Sequence, residues 1–461
     1  MKKPLTKKII WLFAIGQLGW SLLSALITNW IVYFYQPSQE ELELGHKLFI
    51  PQGKVIFGVF AIIGGIFAFG RLWDAITDPL IANLSDKSMN PKGRRIPFMK
   101  KAAIPFALAC VLIYWCPIDG NSPVNGVWIL VMMLLFYLFM TIYCTPYNSL
   151  IAELSGNQKE LTDISLAISF TFIFGSALGY AASFIWSALI AGGMERILAI
   201  RITFIVLAAI GLVCLLVPTF TIDEKEWVQV TNDEIDVKSN VFQSLAKTFK
   251  NRDFDCFIAS DVVYWVAITM FQTGLPYFIQ SLMKLGEGMF TPLYIGMTLL
   301  SVCFYVIVAK LAGKFQKKHL IMYAFIQFAV AYVITALSTG VAGTNKGLVF
   351  GILVIVIASV PMAILGILPQ TIVADVAKSD EITTGENRDG MFFAARTFSM
   401  KLGQAVAAVL FTSLASIGTQ SGLGYRIAAF VCAILCVIAA IILGFYREKE
   451  VMAKLNKGEN S

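Results

Sequence analysis

Apolar runs of bilayer-spanning length recur along almost the whole chain, broken by short polar stretches. On this pattern twelve helical segments begin near residues 9, 55, 98, 127, 162, 198, 253, 291, 318, 347, 390 and 425. About 20 apolar residues carry a helix across the hydrocarbon core of a bilayer. The runs are continuous rather than alternating, which excludes a β-barrel and predicts an all-α membrane protein. The longest polar stretch divides the pattern into six helices and six. The expected domains are a six-helix bundle over residues 1–220, a central loop over 221–252, and a second six-helix bundle with its tail over 253–461. The halves echo one another: the fourth segment ends in PYNSLIAEL (Pro146 to Leu154) and the tenth in LPQTIVADV (Leu368 to Val376), each with a proline and an Ala-acid pair. Duplicated halves are a transporter feature, and the substrate site of such proteins lies between the repeats.

Composition strengthens this picture. Of 461 residues 57% are hydrophobic and 14% charged, against about 25% charged in soluble domains. Little chain remains for a soluble domain. The net charge of +7 is distributed as topology requires, so no nucleic-acid partner is expected. Lys2, Lys3, Lys7 and Lys8 precede the first segment, and Lys87, Lys92, Arg94, Arg95, Lys100 and Lys101 follow the second, whereas the intervening loops are acidic or nearly uncharged. The positive-inside rule then puts both termini in the cytoplasm of a multi-pass cell-membrane protein. The first apolar run is too long for a cleaved signal peptide. All eight cysteines lie in or beside apolar runs and form no disulfide framework. Cys432 and Cys436 are one turn apart, yet no histidine stands near them to complete a zinc site, so packing explains them. An enzyme or ATP-driven pump is not expected: the chain has no Gly-Asp dipeptide of the intramembrane-protease type and no phosphate-binding G-x-x-x-x-G-K-[ST] string.

Within this apolar setting the stretch GRLWDAITDP (Gly70 to Pro79) stands out. Arg71, Asp74 and Asp78 sit at or near membrane depth, where each ionised group costs roughly 2.5–3.5 kcal/mol on insertion scales and persists mainly by handling ions, protons or substrate. Asp74 and Asp78 are spaced i, i+4, so their β-carbons lie about 6 Å apart on one helical face. Two carboxylates that close attract a cation. Asp261, in the seventh segment FIASDVVYWVAITMF, either binds substrate hydroxyls or pairs locally at the helix end. Gln17, Trp20, Tyr147, Asn148, Trp265, Gln272 and Gln370 are the amides and aromatics suited to line a cavity for an uncharged polyol. The region from Leu42 to Lys54 is expected to form a short extracellular helix or flap. Asp375, Asp380, Glu381, Glu386, Arg388 and Asp389 crowd one loop, either solvated or as a gate latch reaching the other half.

With GRLWDAITDPLIANLSDKS followed by GRRIPF, with PYNSLIAEL, and with GENRDGMFFAARTFSMKLGQA (Gly385 to Ala405), the chain resembles the glycoside–pentoside–hexuronide:cation symporter family of the major facilitator superfamily. The resemblance spans essentially the whole length. It implies a monomeric two-bundle carrier in membrane lipid, without an enzymatic cofactor, that moves a carbohydrate together with Na⁺, Li⁺ or H⁺. It further implies that Asp74 and Asp78 bind the coupling cation with Thr141, that Lys401, Thr397 and Arg71 lie near the cation and sugar sites, and that Asp86 with Arg94 and Arg95 forms a cytoplasmic gate latch. Two carboxylates and a hydroxyl suit a hard cation, and the same pair can hold one shared proton. The sugar contacts of the family's melibiose-transporting members are largely missing. IGQLGWS on the first segment has no acid, Cys144 and Asn148 replace an acid and an aromatic, and Phe172 aligns with an arginine. The expected substrate is therefore a sugar, glycoside or uronide other than melibiose, with an amphipathic or lipid-like molecule as the alternative.

Overall fold

The computed structural model describes residues 5–53, 61–88, 90, 91, 93–228, 248–341, 344–385 and 388–458. Secondary structure among them is helical throughout, and the chain divides into two compact units, Met1–Glu234 and Ile235–Ser461. The first holds α1 (Lys7–Tyr35), α2 (Gln39–Glu43), α3 (Ile62–Asp86), α4 (Ile96–Ile113), α5 (Pro123–Leu154), α6 (Gln158–Ala191), α7 (Arg196–Thr221) and α8 (Glu224–Trp227). The second holds α9 (Arg252–Tyr277), α10 (Phe290–Ala312), α11 (Lys317–Leu337), α12 (Lys346–Thr384), α13 (Asp389–Ala415), α14 (Leu423–Leu443) and α15 (Glu448–Gly458). Among the described residues eleven helices are long and apolar enough to cross a membrane. The other long helix, α3, carries Arg71, Asp74 and Asp78, and those charges set it apart from the rest.

The starts of the long helices are written in local chemistry. Thr6, Ser122, Asn157 and Asn251 cap α1, α5, α6 and α9 with side-chain oxygens that accept from free first-turn amides. Pro123 opens α5, where its missing N–H is no loss.

The two units repeat one packing scheme. In the first, α1 lies against α6 and α7, α5 against α3 and α4, and α4 against α7. In the second, α9 lies against α13 and α14, α12 against α10 and α11, and α11 against α14. The sequence echo marks one end of this scheme. Glu224, just beyond α7, accepts from the backbone amides of Arg94 and Arg95 at 2.6 and 2.7 Å and also from that of Ile96, closing the start of α4. Glu448, just beyond α14, accepts from the amides of Lys317 and Lys318 at 2.8 Å each and closes the start of α11 in the same way. A carboxylate is favoured there because helix N-termini present unpaired N–H groups and a partial positive charge. Gly93 makes the first of these caps feasible: at φ 119 it holds a conformation that side chains resist, and a Cβ would meet the Glu224 carboxylate at 2.5 Å. The acids of the two echo strings then fill equivalent places. Glu153 of PYNSLIAEL binds Arg95 at 2.8 Å, and Asp375 of LPQTIVADV binds Lys317 at 2.5 Å.

The loop after α1 differs from expectation. Its helix is α2, which begins three residues before the Leu42 to Lys54 region and ends at Glu43, because Ser38 caps it by accepting from the Glu41 amide at 3.3 Å. Residues 44–53 are not helical, and Lys54 lies outside the described residues. Glu41, fully buried, forms an ion pair with Arg196, which also donates to the Tyr33 hydroxyl at 3.3 Å. His46 is 4% exposed, with Nε2 at 2.9 Å from the Phe34 carbonyl. Burial pushes its imidazole down to about 4, against the Phe34 carbonyl, which favours the charged form, and with Arg196 adding to the depression.

His46 is thus neutral at pH 7, and its folded-state pKa lies below the unfolded value near 6.5, so the unfolded loop takes up the extra proton. Stability is full above pH 6.5 and falls as the pH drops toward 4, by roughly 3 kcal/mol at the limit. Amide hydrogen exchange in residues 39–53 should therefore rise selectively between pH 6.5 and 4.5, after correction for intrinsic rates. His46→Asn should remove that dependence; a pH-independent wild-type loop would contradict the assignment.

Candidate functional site

Asp74, Thr77 and Asp78 project from α3, and Thr141 faces them from α5. Thr141 Oγ1 lies 3.0 Å from Asp74 Oδ1, 3.1 Å from Asp78 Oδ1 and 3.3 Å from Thr77 Oγ1. The Thr77 hydroxyl in turn reaches the Asp74 carbonyl at 3.2 Å. A threonine hydroxyl has one hydrogen to donate, so Thr141 can serve only one of the two carboxylates at a time. A cation or a shared proton relieves such a cluster. Asp74 is fully buried, Thr141 and Thr77 nearly so, while Asp78 is half-buried. The graded burial gives the cluster an inner and an outer carboxylate.

Both helices that supply these oxygens contain a proline beside the site, Pro79 in α3 and Pro146 in α5. Proline has no N–H to bond the carbonyl four residues back. The carbonyls of Ala75 and Ile142 are thereby released from the helical ladder, one between the two aspartates and one next to Thr141. Backbone oxygen is a suitable further ligand for a hard cation.

Arg71 sits at the edge of this cluster. Its Nη1 is 3.9 Å from Asp74 Oδ2, its Nη2 donates to Thr28 at 3.2 Å, and its guanidinium lies over the rings of Phe67 and Tyr137 at 5.3 and 5.0 Å. Part of what this guanidinium can offer is thus spent on a hydroxyl and on two ring faces.

The other sequence-derived residues fall in varied settings. Gln17 accepts from the Trp20 indole at 3.0 Å, and Trp20 lies 6.0 Å from Phe172. Tyr147 is fully buried, donates to the Phe13 carbonyl at 3.0 Å and stacks on the Phe13 ring, so it packs α5 against α1. Asn148 and Gln370 are exposed, as is Thr397, whose hydroxyl is turned back to the Phe393 carbonyl. Lys401 is buried within α13. The side chain of Asp86 lies outside the described residues; Arg94 and Arg95 meet at Glu153, and Arg95 also donates to Ser85 at 2.7 Å. Asp375 and Asp380 pair within their own unit, with Lys317 and with Arg388 and Asn251.

Asp261 is held by Arg396 in a two-pronged contact, Nε to Oδ2 at 2.9 Å and Nη2 to Oδ1 at 3.3 Å. The partner stands in the Gly385 to Ala405 block, five residues before Lys401, and attention to that lysine alone misses it. Thr77 and Glu153 were likewise legible as members of quoted strings, whereas Glu224 carried no signal in a polar stretch rich in acids.

Comparison with known proteins agrees with this architecture. The putative glycoside/cation symporter YagG of Escherichia coli is 25% identical over 359 residues, 76% of this chain and 74% of that protein. The sodium-dependent lysophosphatidylcholine symporter 1 of Xenopus tropicalis is 34% identical over a shorter stretch of 114 residues, 24% of this chain and 21% of that protein. Among solved structures a mutant of the nucleoside transporter NupG aligns with a TM-score of 0.67 at 12% identity, covering 95% of this chain and 98% of that one, and so shares its fold. The family model for MFS/sugar transport proteins matches residues 12–446, and the chain belongs to that family of membrane transporters within the major facilitator superfamily.

Proposed function

We propose that this transporter is a symporter that carries a sugar, glycoside or uronide across the cytoplasmic membrane with Na⁺ or H⁺, Li⁺ being a third candidate, by alternating access as a monomer with both termini in the cytoplasm. The observation that carries the reading is the buried oxygen cluster of Asp74, Asp78, Thr141 and Thr77 beside Arg71. Buried carboxylates of this kind are expensive in a membrane unless an ion compensates them. Similarity to a putative glycoside/cation symporter supports the same pairing of cargo and ion. Lys401 is the coupling residue in this reading: its ammonium compensates the aspartates without the cation and turns to the substrate when the cation binds, with Thr397 nearby. Arg94 and Arg95, gathered on Glu153, form a latch that favours one access state, with Asp86 as its further acid. Gln17, Trp20, Asn148 and Gln370 are proposed cavity liners, while the packing of Tyr147 leaves it a supporting role.

A second reading, an amphipathic or lipid-like substrate, is favoured by the 34% identity to a lysophosphatidylcholine symporter. Proteoliposome uptake of labelled pentosides, glucosides, uronides and lysophosphatidylcholine, each under a Na⁺, Li⁺ or pH gradient, separates the two readings and identifies the ion.

Asp78→Asn should abolish ion-stimulated uptake while leaving membrane insertion intact, since neutralising an acid eases insertion. Thr141→Val should weaken cation affinity by about tenfold, the scale of one charge-assisted hydrogen bond. Ion stimulation of wild-type size in Asp78→Asn would refute the site.

Lys401→Ala should flatten the dependence of substrate affinity on the cation more than it lowers either affinity alone, because linkage makes the coupling mutual. Titrations of substrate with and without the ion measure it, and an undiminished ratio would rule out the switch.

Replacing Arg94 and Arg95 by Gln should shift the balance of access states, as a charge contact present in one state biases it by its differential energy. Cysteine labelling from the two sides reads the shift; unchanged labelling would count against the latch.

A further inference from the structure

α9 carries Asp261, Trp265 and Thr269 at i, i+4 and i+8, one stripe on a single helical face. α13 packs along α9, and at Gly403 the two meet closely: a Cβ there would stand 3.0 Å from the Val262 carbonyl and 3.2 Å from Trp265 Cβ. Asp261 and Arg396 lie about 13 and 10 Å along their helices from Arg252 and Asp389, well inside apolar segments. On the same two helices Trp265 Nε1, one turn from Asp261, and Thr269 Oγ1 and Gln404 Oε1, about two turns from Asp261 and Arg396, are buried and make no hydrogen bond among the described residues. Thr269 is only 2% exposed. Three unsatisfied polar atoms on two packed helices that also hold a charge pair are a poor way to pack a membrane bundle, since each unsatisfied group costs about 1–3 kcal/mol.

The corresponding helix of the other unit shows what a satisfied arrangement looks like. There the Trp20 indole is taken up by Gln17 at 3.0 Å. On α9 the equivalent indole is left waiting.

We propose that Asp261, Arg396 and Trp265 form a subsite in the second unit for a neutral, hydroxyl-bearing sugar ring; this rests on the sugar reading above and assigns it a location. A carboxylate offers about four acceptor sites and a guanidinium five donors, and their mutual contact uses two of each. Acceptors and donors therefore remain side by side, matching vicinal hydroxyls, each of which gives one hydrogen bond and takes others. The Trp265 indole adds a donor and an apolar ring face for the C–H side of a pyranose. A carboxylated sugar fits less well, because its carboxylate has no hydrogen to give Asp261 and sets a second negative charge near it at membrane depth. The subsite thus narrows the cargo from sugars and uronides to neutral glycosides.

The test is uptake of a panel of neutral p-nitrophenyl glycosides, alongside p-nitrophenyl glucuronide and lysophosphatidylcholine, by the full-length protein in proteoliposomes. Removing one charge alone strands the other, so the informative variant is the double Asp261→Asn/Arg396→Gln, which leaves no buried charge. It should insert and melt as wild type and keep its half-saturation for the coupling cation. Its half-saturation for the preferred glycoside should rise about 10- to 100-fold, the scale of charged hydrogen bonds. Trp265→Phe, which keeps a ring and loses the N–H, should raise it about three- to tenfold. A double variant with wild-type glycoside affinity would make the pair structural and overturn the subsite while leaving the sugar reading intact. Preference for the glucuronide over every neutral glycoside would overturn the subsite too. Wild-type uptake of lysophosphatidylcholine and no glycoside would overturn the sugar reading and the subsite together.

Discussion

Ionised groups in a low-dielectric medium tolerate few arrangements, and that constraint organises this molecule. In water a stray carboxylate or guanidinium is harmless; inside an apolar bundle it must be paired, capped or compensated by an ion. The charged side chains described within the long helices obey this rule in three ways. Glu153 and Asp375 meet basic residues at helix starts, Asp261 meets Arg396 within a unit, and the Asp74/Asp78 pair gathers the Thr141 hydroxyl between its carboxylates with Arg71 3.9 Å from Asp74. The first two arrangements are complete without a guest. The third brings two carboxylates onto one helical face, where a cation or a shared proton lowers their mutual repulsion.

Helix starts are the other place where electrostatics governs the fold. The caps by Glu224 and Glu448 use one carboxylate to satisfy successive amides and to anchor the chain segment that follows the last helix of each unit. They tie the sixth and third long helices together in each half, at the same end where Glu153 and Asp375 hold the fourth. A transporter must shift between states without losing its helices, and rigid elements pinned at one end by charge provide hinges that packing alone does not. The Asp74/Asp78 cluster obeys a related logic. Pro79 and Pro146 each free a carbonyl within a turn of Asp78 or Thr141, and an oxygen released in an apolar span needs another partner.

The architecture was legible in the chain because its signal is coarse and repeated. Continuous apolar runs, a polar divide and basic loops fix helices, number and class by solvation alone, and the observed starts at Lys7, Ile96, Arg196, Arg252 and Leu423 lie within a few residues of those the pattern implies. Asp74 and Asp78 were legible for the same reason, since two acids in an apolar run are costly enough to need compensation, by a basic partner or by an ion. The echo of PYNSLIAEL and LPQTIVADV was visible as a pattern but not as a mechanism.

Tertiary structure decided everything that depends on which helix faces which. Asp261 reads equally well as a cap, a ligand or a local pair until α13 brings Arg396 to within 2.9 Å of it. Tyr147 has the composition of a cavity liner, yet its ring stacks on Phe13 and its hydroxyl is satisfied there. Gln17 and Trp20 likewise look available singly and prove to be bonded to one another. The loop after the first span placed its helix at Gln39–Glu43 because Ser38 could cap it and Glu41 could reach Arg196, a residue more than a hundred positions away. Sequence by itself determines where a chain can enter a bilayer, because hydrophobicity is a property of a segment. Whether a polar atom is left waiting for a ligand is a property of its neighbours, and only the packed helices supply them.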